Sequence, residues 1–99
     1  KELLGANQDQ LVVLMFGHLE IRKGVLEFIE LIEQHTESEK ERQRVFVLAG
    51  EVNPREKDHI LQATERIRHR IDVVQHLQRI PFERVEIFFE AADVVVLPY

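Results

Sequence analysis

The segment Leu11–Gly24 reads LVVLMFGHLEIRKG. Its apolar run, Leu11 to Phe16, is continuous rather than alternating. That patterning marks a strand buried on both faces, as in a parallel sheet. Gly17 lets the chain turn sharply at the end of the run. Val25, Phe28, Ile29 and Ile32 then recur at the i, i+3, i+4, i+7 spacing of a helical stripe. Leu26 and Leu31 widen the stripe, while Glu27, Glu30 and Glu33 face away. The segment is therefore a buried strand, a glycine loop and a helix entered behind Arg22 and Lys23. Helix N-terminal N–H groups and the helix dipole favour negative charge at such a place, so α/β proteins often hold anions there.

The rest of the chain repeats the pattern. Val45 to Ala49 and Val94 to Leu97 are also continuous apolar runs, which predicts two more strands with both faces covered. Ile71 to Val74 is a weaker fourth run; Asp72, Gln75 and His76 place it nearer an edge. Between the runs lie two further helical stripes, Ile60, Thr64, Ile67 and Ile71, then Val85, Phe88, Phe89 and Ala92. The order β-α-β-α-β-α-β predicts an α/β fold: a Rossmann-like open parallel sheet of about four strands, with right-handed crossovers and helices on both faces. The charge-rich stretch Thr36 to Arg44 reads as a solvated connector. Asn53-Pro54 and Pro81 mark helix starts. One domain is expected over residues 1–99, with 1–10 as a linker-like lead-in.

Bulk composition narrows the classes. The 99 residues suit one small domain with a modest core, and hydrophobic content of 44% is ordinary for a globular chain. A net charge of −5 argues against a general nucleic-acid binder, which needs a basic footprint. The chain has no cysteine, which excludes disulfides and thiol catalysis within it. No apolar run approaches the ~18 residues of a membrane span. KELLGANQDQ at the start lacks the charged-then-apolar pattern of a signal peptide. A cytoplasmic location is expected, with peripheral membrane contact left open.

Candidate site residues gather at strand carboxyl ends, where open α/β sheets bind ligands. Gly17, His18, Arg22 and Lys23 follow the first strand; Gly50 and Glu51 follow the second. Read from spacing alone, Arg22 and Lys23 are surface residues or anion ligands, and Glu51 is an exposed carboxylate or a hydroxyl acceptor. The stretch His76 to Pro81 follows the third strand and is placed to form a wall of the same cleft. His35, His59 and His69 show no metal-ligand spacing. No Walker lysine motif, GxGxxG or nucleophile elbow is present, which removes the commonest NTPase, dinucleotide and hydrolase assignments.

Three blocks resemble one family. FGHLEIRKGVLEFIELI is similar to the "FVGRLEPRKG" opening of the C-terminal domain of group 1 glycosyltransferases of the GT-B fold. VFVLAGEVNP resembles that family's second strand and glycine loop, and IFFEAADVVVLPY its "LYAAADVFVLPS" segment. The blocks occur in the family's order across Leu11 to Tyr99. The resemblance implies the first part of a donor-binding domain, a truncated half of the GT-B donor domain. Its substrate would be a nucleotide-diphosphate sugar, with no metal or other cofactor expected. Lys23 matches the family's diphosphate lysine. His18 stands where an arginine is usual, and a neutral His offers one donor where Arg offers five. Arg22 reads as a flanking residue that could compensate. Gly17 and Gly50 match the glycines that let backbone approach the nucleotide.

The resemblance further implies sugar transfer with retention. The segment carrying the family's donor-facing glutamate would begin beyond Tyr99, and the N-terminal acceptor domain would be a partner outside this chain. No catalytic residue is therefore expected within residues 1–99, and the isolated chain is expected to be inactive. The strand edge near 93–98 would be open to pairing with a second copy. The alternative class is a non-catalytic α/β ligand-binding or receiver-like module. A receiver would need an acidic cluster after its early strands, where this chain has Gly17-His18.

Overall fold

The computed structural model describes residues 9–34, 44–68 and 71–97. The connector expected over Thr36 to Arg44 falls almost wholly outside them, as do His35 and His69. The elements are β1 (Leu11–Phe16), a 3-10 turn (Ile21–Lys23), α1 (Val25–Gln34), β2 (Arg44–Ala49), α2 (Lys57–Ile67), β3 (Asp72–His76), α3 (Phe82–Ala91) and β4 (Val94–Val96). All three strand pairings are parallel, in the order β3-β2-β1-β4. The alternating α/β order expected from the apolar runs is the order observed.

Alternation along the two central strands sorts the core into two layers. Met15, Phe46 and Leu48 point to one face, where they meet Val25 and Ile29 of α1 and Ile60, Ala63 and Ile67 of α2. Val12, Leu14, Val45, Val47 and Ala49 point to the other face, against Phe88 of α3. Helices thus cover both faces, and β2 is buried at every position after Arg44. Burying a Leu, Val or Phe side chain is worth ~1.5–3 kcal/mol, so these two layers carry most of the fold.

Three expectations need correction. β4 is not covered like β1 and β2: Val94, Val95 and Leu97 are exposed. Among the described residues β4 pairs only with β1, and α3 buries only Phe88 from its stripe. Val85 and Ala92 are half-buried and Phe89 is exposed, although the Phe89 ring lies 5.0 Å from that of Phe16. In α1, Leu31 is 48% exposed and lies outside the stripe it was expected to widen.

Two side chains tie distant segments to the sheet. Asp93 accepts the Val12 N–H at 2.7 Å, and its own N–H donates to the Val12 carbonyl at 2.9 Å. This fixes the approach to β4 beside β1. At the other edge, the Gln75 amide donates to Thr64 Oγ1, and Arg68 donates to Gln75 Oε1 at 3.1 Å, which fastens α2 to β3. β3 lies at the sheet edge, as its polar residues predicted.

Candidate functional site

All four strands run the same way, so their carboxyl ends share one rim. Chain direction along the sheet reverses between β1 and β4: β1 leads through α1 to β2 on one side, and β3 leads through α3 to β4 on the other. Crevices at such switch points are where open α/β sheets bind ligands.

The loops after β1 and β2 meet at their glycines. Gly17 donates to the Ala49 carbonyl at 3.1 Å, and Gly50 donates to the His76 carbonyl at 3.0 Å. Both have positive φ, 130° and 143°. A Cβ on Gly50 would lie 1.8 Å from the Gly17 carbonyl oxygen. The strand pairing resumes beyond the glycines: Leu19 donates to the Glu51 carbonyl at 2.9 Å and forms a parallel bridge with Val52. Leu19 is fully buried, which anchors this second contact in the core.

Over the paired glycines lies a cleft of about 450 Å³. Gly17, His18, Gly50 and Glu51 line it together, as their places at strand ends predicted. Arg79 and Ile80 close it from the β3 side, with Phe16 and Val85 also lining it. The wall expected from His76 to Pro81 is therefore formed by Arg79 and Ile80. A second recess of about 590 Å³ shares His18 and Glu51 and extends to Glu20 and Asn53. His18 Nδ1 and Glu51 Oε2 are 3.8 Å apart, with both side chains largely exposed.

Arg22 and Lys23 do not line either cavity. They sit on the 3-10 turn, which ends at Gly24 with φ +90°. The expected helix begins one residue later, at Val25, and Gly24 provides the carbonyl that accepts from Phe28 N–H at 2.9 Å. Both cations face Glu20: Arg22 Nε donates to Glu20 Oε2 at 2.5 Å, and Lys23 Nζ is 3.9 Å from Glu20 Oε1. The Arg22 hydrogen bond lowers the Glu20 pKa, with the charges of Arg22, Lys23 and His18 acting in the same direction.

The backbone of the turn is held from across the fold. Glu56, at the start of α2, accepts the Ile21 N–H on Oε1 at 2.6 Å. Its charge also suits the N-terminus of α2. Hydrogen bonds to charged groups are worth ~1.5–3 kcal/mol and less where water competes. Glu56→Ala is expected to lower stability by about 1–2 kcal/mol and to release the Ile21 amide to hydrogen exchange. Glu56→Gln, which keeps an acceptor, should lose less; urea unfolding and amide exchange check both.

His76 lies at the wall of another cavity of about 470 Å³ with Arg84 and Phe88, which shares Ile80 with the glycine cleft. Its ring meets Phe88 edge-on at 5.2 Å. Burial lowers its pKa from the ordinary 6.5, and the Arg84 charge adds to the shift. The unfolded chain therefore takes up a proton near pH 6.5 that the folded chain resists. Stability from this group is complete above that value and falls as pH drops through the lowered native value. The urea midpoint should fall between about pH 7.5 and about pH 5.5, and His76→Phe should reduce that fall.

Arg79, Glu20 and Glu56 carry parts of this site that sequence alone does not single out. Arg79 was visible only as a member of the wall after β3. Glu20 stands three residues before Lys23, a spacing at which ion pairs are common on helical turns. Glu56 pairs with an amide 35 residues away, for which local pattern holds no signal.

Among the described residues no helix is long and apolar enough to cross a membrane. No curated protein and no solved structure matches the chain at a significant level. The family model described as glycosyl transferases group 1 matches residues 1–99. With the four-stranded parallel sheet and the glycine-paired rim already in place, the match over the whole length settles the family: this chain belongs to the group 1 glycosyl transferases.

Proposed function

We propose that this domain binds the diphosphate of a nucleotide-diphosphate sugar and holds it for transfer of the sugar with retention. The observation that carries the proposal is the close meeting of Gly17 and Gly50 under an open cleft. A rim without side chains at these two positions lets a ligand approach the backbone. The apolar residues Ile80, Val85 and Phe16 beside Arg79 suit the face of a nucleobase against a cation-lined wall.

Transfer of a glycosyl group leaves negative charge on the departing diphosphate. Lys23, Arg22 and Arg79 supply positive charge from the protein itself. The first N–H groups of α1 add the partial charge of a helix N-terminus, worth about 0.3–1 kcal/mol when exposed and up to ~2 when partly buried. His18 in place of arginine offers a single donor when neutral, so Arg79 takes on more of the electrostatic role. The acceptor and its binding groups come from a partner domain in this scheme.

Calorimetry with uridine and guanosine diphosphates tests the proposal on the 99-residue chain. Binding is expected to be weak, accompanied by amide shifts at Gly17, Gly24 and Gly50. Absence of heat with both nucleotides, together with unshifted amides at these glycines, would overturn it.

A further inference from the structure

The two cations nearest the start of α1 already have an anion. Glu20 reaches Arg22 at 2.5 Å and Lys23 at 3.9 Å, one carboxylate oxygen to each. It is the same carboxylate that lines the recess continuous with the glycine cleft through His18 and Glu51. It directly precedes the turn, so it travels with the two cations whose charge it partly offsets.

We propose that Glu20 is an internal stand-in for the ligand's oxyanion: it occupies Arg22 and Lys23 in the free protein, and a diphosphate binds by displacing it. This rests on the diphosphate assignment of the preceding section. The exchange is a matter of side chains. The backbone of the turn is fixed by Glu56 on the Ile21 N–H and by the Lys23 N–H to Glu20 carbonyl bond of 3.0 Å. Gly24 closes the turn with a 3.1 Å bond to the Ile21 carbonyl. Arg22 is 80% exposed at its side chain and free to rotate, whereas Lys23 at 30% and Glu20 at 25% are half-buried and must move outward for the exchange. Two consequences follow. In the free protein Glu20 offsets one of the turn's two positive charges, which lowers its attraction for stray anions. In the bound protein the released Glu20 carboxylate stays near the diphosphate and favours its departure, which suits a site that must let go of a product carrying more charge than the donor.

The magnitude is modest and measurable. An exposed ion pair is worth a factor of about 1.5–5 in an equilibrium constant. Glu20→Gln removes the competing charge and is expected to bind inorganic pyrophosphate about 2- to 5-fold more tightly than the natural chain. The titration is followed by NMR at the Gly17 and Gly24 amides and at the Arg22 Nε–H. In the natural chain the Nε–H signal should move away from its Glu20-bonded position as pyrophosphate saturates. In Glu20→Gln it should start from a shifted position. Glu86→Gln, the same loss of charge on an exposed position of α3, is the control for net charge and should leave the affinity unchanged.

Equal or weaker binding by Glu20→Gln overturns the displacement proposal, since Glu20 would then be a brace for the cations. Equal tightening by Glu86→Gln overturns it as well, because the effect would be one of overall charge. These results are distinct from failure of the diphosphate assignment, in which pyrophosphate and uridine diphosphate perturb no residue of the turn in any of the three proteins.

Discussion

Lys23→Ala is expected to lower sugar-transfer turnover about 100-fold or more in the protein that carries this domain. The size follows from comparing the sources of positive charge. A helix N-terminus contributes at most ~2 kcal/mol even when partly buried. A preorganised donor aimed at charge that develops in the transition state is worth roughly 2.7–4 kcal/mol. Once released from Glu20, the lysine should therefore outweigh the dipole. The loss should appear both in turnover and in the affinity for the nucleoside diphosphate product, because charge on the leaving group grows as the bond breaks and is complete in the product. Lys23→Arg separates charge from shape: it keeps the cation but replaces a compact ammonium with a planar fork, so partial recovery is expected. Steady-state kinetics on the three proteins measures this, and unchanged turnover and affinity in Lys23→Ala would remove the residue from the site.

The largest structural effect is expected at Gly50. An alanine there would place its Cβ 1.8 Å from the Gly17 carbonyl oxygen and 2.8 Å from the Gly17 carbonyl carbon. Both neighbours are backbone, so no side chain can rotate away. The position also has φ +143°, which side-chain-bearing residues rarely adopt. Backbone strain of this type costs about 1–3 kcal/mol, and overpacking a further ~1–3. Gly50→Ala should therefore lower the melting temperature by roughly 10 °C or more, given ~4–8 °C per kcal/mol in a domain of this size. Gly24→Ala is the comparison. Its φ is also positive, at +90°, but the nearest atom to its Cβ is Glu27 Oε2 at 4.0 Å. It pays the conformational cost without the collision, so its loss should be clearly smaller. Equal melting temperatures for Gly50→Ala and the natural chain would contradict the contact between the two loops.

The parallel sheet was legible because β1 and β2 are buried on both faces and so read as unbroken apolar runs. Their parallel order followed from the helical stripes between them. The same logic overestimated β4. Val94, Val95 and Leu97 have the composition of a strand covered on both faces, yet all three are exposed; that β4 has β1 alone among the described residues agrees with the open edge expected near 93–98. The glycines of the rim were legible for a similar reason: each ends an apolar run and is followed by a polar residue, His18 or Glu51. What no local pattern could reveal was the partner of each charged side chain. Arg22 and Lys23 look available in the sequence, yet each has Glu20 beside it in the fold. The Glu56 bond to Ile21 joins two loops that only the pairing of β1 with β2 brings together.

The bridge between Leu19 and Val52 bears on how such a domain can be altered. Beyond the glycines, the two rim loops are joined by that bridge, by the Leu19 N–H to Glu51 carbonyl bond and by the Glu56 carboxylate on Ile21. They behave as a single unit of design. A loop transplanted from a relative into positions 17–24 alone would arrive without its counterpart at 50–56 and would lose register with β2. Loop exchange between relatives should preserve stability when both loops are moved together and lower it when either is moved by itself, as urea unfolding would measure.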